Sequence, residues 1–145
     1  MSPLDRVRQR EDHIRTDRFE TGFAVDTTGQ VLLDKPGRLS EIEFTDDEIA
    51  RLKEGTGVIF THNHPGGWKF SPDDPRRGGA SFSPDDIHLA CKCALTEMRV
   101  VTPRFRFSML PPVGGWDEDY WLSTVKPNTV RLVIKLGRIP CGGTP

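Results

Sequence analysis

The sequence predicts a single α/β (α+β) domain, and three observations carry that expectation. Short runs of apolar and β-branched residues, such as 58–61 and 129–136, read as strands. Two segments, after Thr45 and after Ser83, instead space their apolar residues for a helix behind an N-cap pattern. The length of 145 residues suits one domain with a real core and is short for two. The 14 glycines and 12 prolines keep the elements short and the loops many.

In order along the chain, residues 1–18 form a charged arm. Leu4, Val7 and Ile14 give it only a thin apolar stripe, so a marginal helix or a linker is expected. The domain proper runs over 19–136. Glu20 to Val25 reads as a strand, 26–29 as a turn, and Gln30 to Leu33 as the hairpin partner, closed by Lys35-Pro36-Gly37. Ile42 and Phe44 alternate with Glu41 and Glu43, which suggests another short strand. Thr45 to Glu48 is a capping box, so a helix should run from Asp46 to Lys53 and stop at Gly55, burying Ile49 and Leu52.

Gly57 opens a strand that ends at Pro65. Residues 68–80 read as a loop. Ser83 then starts the strongest helix, with Pro84 in its first turn and Ile87, Ala90, Cys91, Ala94, Leu95 and Met98 on one stripe. Two strands follow, over 99–102 and 104–110; in the second, Arg104 and Arg106 alternate with Phe105 and Phe107, so one face should be solvated. Residues 116–125 read as a short helix or an aromatic-anchored loop, 129–136 as a last strand, and 137–145 as a frayed tail.

Composition narrows the function. A net charge of −1 lacks the basic excess of a nucleic-acid binder. No apolar run reaches the roughly 18 residues of a membrane span, and the charged start is no signal peptide. Cys91, Cys93 and Cys141 have no framework spacing and read as reduced thiols of a cytoplasmic protein.

The chemistry lies in Val58-Ile-Phe-Thr-His-Asn-His-Pro-Gly-Gly67. His62 and His64 stand two apart on a strand, so both imidazoles leave the same face and can meet at one point. Pro65 ends the strand there. Downstream, Ser83-Pro-Asp-Asp86 offers a hydroxyl and a carboxylate. Two imidazoles, a carboxylate and an open fourth position make up a hydrolytic zinc site. Ser-x-x-Asp before a helix is equally an ordinary N-cap, and Ser83 can cap while Asp86 turns toward the histidines. Cys91 and Cys93, two apart on a helix, do not share a face and suit no common ion. His13 and His88 receive no role.

His62-x-His64-Pro65 followed by Ser83-x-x-Asp86 resembles the JAMM (JAB/MPN) metallohydrolase signature, most closely the RadC-like type and similar domains in phage-encoded proteins. The likeness is strong over Val58 to Thr102, looser from Glu20 onward, and absent from the N-terminal arm. It implies a mixed β-sheet flanked by helices and a zinc-dependent peptidase or isopeptidase acting on a protein or peptide substrate. His62, His64 and Asp86 would hold Zn2+, Glu20 would be the general base, and Ser83 would assist at the water or the developing oxyanion. Glu41 and Glu43 are rivals to Glu20. The family separates its second histidine from its serine by about seven residues, whereas residues 65–82 intervene here. Ser71 and Asp74 nearly meet that spacing, but Pro75 and Gly78 deny them a following helix. Residues 68–80 are therefore read as an insertion at the cleft mouth, where Trp68, Arg76 and Arg77 either touch substrate or form a solvated loop. Two alternatives stand beside this reading. One is a catalytically inactive MPN-type scaffold that binds without metal. The other, ranked low, is a metal-dependent nuclease, suggested by His-Asn-His in name only.

Overall fold

The computed structural model describes residues 1–126 and 138–140. Its elements are α1 (Pro3–Ile14), β1 (Thr21–Val25), β2 (Val31–Pro36), α2 (Asp46–Glu54), β3 (Ile59–Asn63), α3 (Pro84–Cys93), β4 (Glu97–Val101), β5 (Phe105–Met109), α4 (Glu118–Tyr120) and β6 (Arg138–Pro140). The strands form one sheet in the order β2-β1-β3-β4-β5-β6. β3 and β4 run parallel, joined by the crossover through α3, and every other pair is antiparallel. The expected mixed sheet with flanking helices is present.

Both faces of that sheet are covered, which explains why β1 is buried at every position. On one face Val7 of α1 packs on Phe23, Val25 and Ile59, and Ile14 packs beside Val101. On the other, Leu52 of α2 and Ile87 and Ala90 of α3 close over Ala24, Phe60, Met98, Val100 and Phe107. Each large apolar side chain so buried stabilises the fold by about 1.5–3 kcal/mol.

The N-terminal arm is the main correction to the sequence reading. It is a docked helix. Ser2 Oγ accepts from the Asp5 N–H at 3.0 Å, Asp5 Oδ2 accepts from the Ser2 N–H at 3.3 Å, and Pro3 opens the first turn. Ser2-Pro-Leu-Asp5 repeats the Ser83-Pro-Asp-Asp86 pattern, so the signal stood in the sequence. The helix does not rest on three apolar residues alone: Glu11 is fully buried and binds Arg99, Arg106 and Thr61. For the same reason the Arg106 face of β5 is not solvated, because α1 covers it.

Smaller departures have local causes. Residues 41–44 form no strand: β2 stays the edge of the sheet on that side. Beyond the sheet they lead into the extended Thr45 cap of α2, whose box forms as expected. α3 ends at Cys93, with Ala94 in the left-handed region at φ 49°, so Met98 belongs to β4 instead of the helical stripe. The segment read as a loop over 68–80 is entered through one 3-10 turn, Pro65–Lys69, and contains a second, Pro75–Gly78. Gly67 lets them approach: a Cβ there would stand 2.5 Å from the Arg77 carbonyl oxygen. Trp116 is buried in the core, and Glu118–Tyr120 continues into a π-helical turn over Trp121–Val125. Within the segment read as a frayed tail, Arg138–Pro140 pairs with β5. The strand expected over 129–136 lies outside the described residues.

Candidate metal centre

Three segments meet at the end of β3. His62 is its next-to-last residue, and the strand ladder extends one residue further through the His64 N–H, which donates to the Val101 carbonyl at 2.9 Å. That bond holds His64 extended, at φ −112° and ψ 99°, so both rings leave one face as the spacing requires. Gly22 lies opposite His62 in the ladder and carries no side chain to fill the space. Asp86 arrives from the first turn of α3, and Glu20 from the residue before β1.

The donor atoms converge. His62 Nε2 and His64 Nε2 are 3.1 Å apart, His62 Nε2 is 3.0 Å from Asp86 Oδ1, and His64 Nε2 is 3.3 Å from Asp86 Oδ2. Ligands around a tetrahedral zinc at 2.0–2.1 Å stand about 3.3 Å from one another; the two imidazole nitrogens, and each nitrogen with its nearer Asp86 oxygen, are close to that separation. His64 Nδ1 lies 3.0 Å from the Ala80 carbonyl, which can only accept. That bond assigns the ring proton to Nδ1 and leaves the Nε2 lone pair facing inward, the usual arrangement of a metal-binding histidine. His62 Nδ1 is buried with no hydrogen-bond partner among the described residues. Asp86 serves twice: Oδ2 accepts from the Ser83 N–H at 2.8 Å as a helix cap, while Oδ1 faces His62.

Electrostatics agree with a site that concentrates negative charge. Burial alone would raise the Asp86 carboxyl, but the two histidines outweigh it and hold it far below the ordinary carboxylate range. Burial would lower the His64 imidazole, yet its bond to Asp86 and the Asp86 charge push it up. Glu20 goes the other way. Burial raises its carboxyl, assisted by the Asp86 charge and opposed by the histidines. Two carboxylates at one site are thus pushed apart, one toward the charged form and one toward holding a proton.

Glu20 Oε1 lies 3.5 Å from His64 Nε2, on a side chain 8% exposed. Its rivals are less enclosed: Glu41 also lines the cleft but pairs with Arg38 and is 54% exposed, and Glu43 is 72% exposed. The register alternative separates as clearly. Asp74 caps the second 3-10 turn and binds Arg76 at 2.7 Å, which holds its carboxyl at about 2, while Ser71 is exposed. Ser83 lines the cleft; its Oγ accepts from the Asp86 N–H at 3.2 Å, and its hydroxyl proton has no acceptor among the described residues.

Asn63 is the residue that sequence reasoning passed over. It is 1% exposed, and its amide grips the chain on both sides of Glu20: Oδ1 accepts from the Thr21 N–H at 2.6 Å, and Nδ2 donates to the Phe19 carbonyl at 2.8 Å. The Glu20 peptide is also bonded through its own N–H to Arg38 and through its carbonyl to Gly37. Glu20 is therefore aimed by its backbone. Asn63→Ala would strand a buried N–H and should destabilise the protein by about 1–3 kcal/mol, read from the urea midpoint; a change under a few tenths would remove the clamp from the account.

The remaining candidates fall outside the metal group. His13 Nδ1–H donates to the Gln9 carbonyl on the surface of α1. His88 stacks on Trp121 at 4.4 Å beside Glu118. Cys91 is buried, and desolvation pushes its thiol up to about 11. Above the convergence point opens a cleft of about 830 Å3, walled on one side by Leu39, Ile42, Phe44 and Ile49 and on the other by Lys69, Phe70 and Arg76. Ile42 and Phe44, read as strand residues, are in fact part of this wall. Comparison with protein-family models, with curated proteins and with solved structures gave no match to the chain.

Proposed function

We propose that the chain is a zinc-dependent metallohydrolase of peptide or isopeptide bonds, with His62, His64 and Asp86 as ligands and Glu20 as general base. The observation that carries the reading is the convergence of one donor atom each from His62, His64 and Asp86 within 4.8 Å of one another, with the buried Glu20 carboxylate 3.5 Å from His64 Nε2. The likeness of His62-x-His64-Pro65 and Ser83-x-x-Asp86 to the JAMM signature supports it from the sequence side. Two imidazoles and one carboxylate match the borderline-soft character of zinc better than that of magnesium.

When bound, zinc supplies Lewis acidity and lowers the pKa of water at the site. The chain's own groups do the rest. Glu20, raised by burial, takes a proton from the attacking water and delivers it to the leaving nitrogen. The Ser83 hydroxyl, with its proton uncommitted, can donate to the oxygen on which charge develops. The apolar wall of the cleft excludes water and holds a side chain of the substrate beside the scissile bond.

Metal content decides between this reading and a metal-free scaffold. Purified protein should carry one zinc per chain, and adding zinc to stripped protein should raise the melting temperature by mass action. Asp86→Ala should lose the ion and the shift, whereas Asp74→Ala should keep both. No transition metal after zinc addition would leave the scaffold, and reversed outcomes would make Ser71 and Asp74 the pair.

A further inference from the structure

Beside the cleft, guanidinium groups from three parts of the chain, Arg18, Arg77 and Arg104, gather around the segment 65–80 and are held by ring faces or carbonyls. Arg18 and Arg77 each lay a guanidinium against the Trp68 ring, 4.5 and 4.6 Å from its centre. The indole is fixed in turn, its Nε1–H donating to the Arg15 carbonyl at 2.9 Å. Arg77 also donates to the Phe70 carbonyl at 2.6 Å, and Arg104 donates to the Pro72 carbonyl. The carboxylate of this neighbourhood is spent elsewhere, because Asp74 binds Arg76. Arg18 and Arg77 make no ion pair among the described residues, Arg104 acts on the Asp74 charge without an ion pair to it, and the Nε atoms of Arg77 and Arg104 are buried without a hydrogen-bond partner, which leaves the Nη groups to face a ligand.

A guanidinium held by a ring face and a carbonyl keeps its full charge and most of its five N–H donors. Two of them beside one indole repel each other, and that repulsion falls when carboxylates bind across them. The cluster adjoins the cleft, since Lys69, Phe70 and Arg76 line its mouth. We propose that this surface docks an acidic stretch of a polypeptide substrate, which places a neighbouring bond of the same chain over the metal centre. The inference rests on the hydrolase reading for its catalytic meaning, but the docking itself does not depend on turnover. Nucleic acid is the poorer occupant. Nucleic-acid affinity grows with the number of phosphates neutralised, and a few clustered cations on a chain of net charge −1 supply little of it. Trp68, flanked by two guanidinium groups, is not free to stack on bases.

The probe is a fluorescein-labelled octaglutamate peptide, titrated against zinc-loaded protein and followed by anisotropy. An octalysine peptide with the same label and a labelled 20-nucleotide single-stranded DNA serve as competitors for the assignment. The glutamate peptide should bind, weaken with added salt, and weaken roughly fivefold or more in Arg18→Glu, an exposed position whose reversal removes one pair and adds one repulsion. Arg8→Glu, exposed on α1, should bind as the parent does. The proposal is overturned if the glutamate peptide does not bind, if octalysine or the DNA binds as tightly, or if Arg18→Glu changes nothing. Binding without cleavage of any peptide would keep the docking surface and count against the hydrolase.

Discussion

Glu20→Gln is expected to keep zinc and to lower hydrolysis by about 10²–10⁴-fold, the range over which a positioned general base acts. The substitution keeps the shape and removes the basicity. Glu20 contributes no atom to the ligand trio, and its backbone is fixed by the Asn63 amide and by Gly37 and Arg38, so the site should stay assembled. Zinc content and the melting temperature should match the parent while kcat falls. Glu41→Gln and Glu43→Gln, both on exposed side chains, should leave kcat near that of the parent. Loss of zinc from Glu20→Gln would make Glu20 a ligand. An unchanged kcat would sink its role as base.

The second large effect concerns stability and lies on the opposite face of the sheet. Glu11 is 0% exposed and accepts four hydrogen bonds. Its Oε2 takes the Thr61 hydroxyl at 2.6 Å and Arg99 Nε at 2.9 Å; its Oε1 takes Arg99 Nη2 at 3.2 Å and Arg106 Nη1 at 2.6 Å. Glu97 steadies the same arginine at 2.7 Å and is itself bonded by the Ser108 hydroxyl. Burial would lower the Arg99 guanidinium pKa, but its bonds to the two glutamates more than restore it. Removing the carboxylate leaves buried positive charge without compensation, so Glu11→Leu should cost about 3–5 kcal/mol. Against a total stability of about 5–15 kcal/mol, that is a large share. The quadruple variant Glu11→Leu, Glu97→Gln, Arg99→Met, Arg106→Leu also removes the carboxylate that Arg99 leaves behind, and should recover most of the loss. Denaturant midpoints read both. A single variant losing under 1 kcal/mol would show that the cluster does not anchor α1.

The site was more legible in the sequence than the N-terminal helix, for a physical reason. His62 and His64 obey the strand period, and Ser83 to Asp86 obeys the cap pattern, so short-range rules suffice to bring out both. Both the resemblance and the strand position pointed to Glu20. Asn63 could not be found this way, because its partners are backbone groups 42 and 44 residues away. α1 was misjudged because its stripe, Val7, Glu11 and Ile14, has an acid in its middle. Counted as surface charge, that acid weakens the stripe. As a buried anion with two guanidinium partners, it completes the stripe. Arg106 was misread by the same logic from the other side. Ile42 and Phe44 show a further limit, since alternation marks a shared face but not whether a neighbouring strand is there to receive it.

Glu11 meets Arg99 and Arg106 at 88 and 95 residues' remove, and this has a consequence for how the protein is made. Translation at 5–20 residues per second separates Glu11 from Arg99 by roughly 4–18 s. Throughout that interval α1 has been synthesised and its counter-charges have not. α1 emerges before β4 and β5 and can complete its docking only after them, so it waits as a short, solvated, capped segment while β1 to β5 assemble. Translation paused before Arg99 should therefore leave α1 open to protease, and release past Arg106 should protect it.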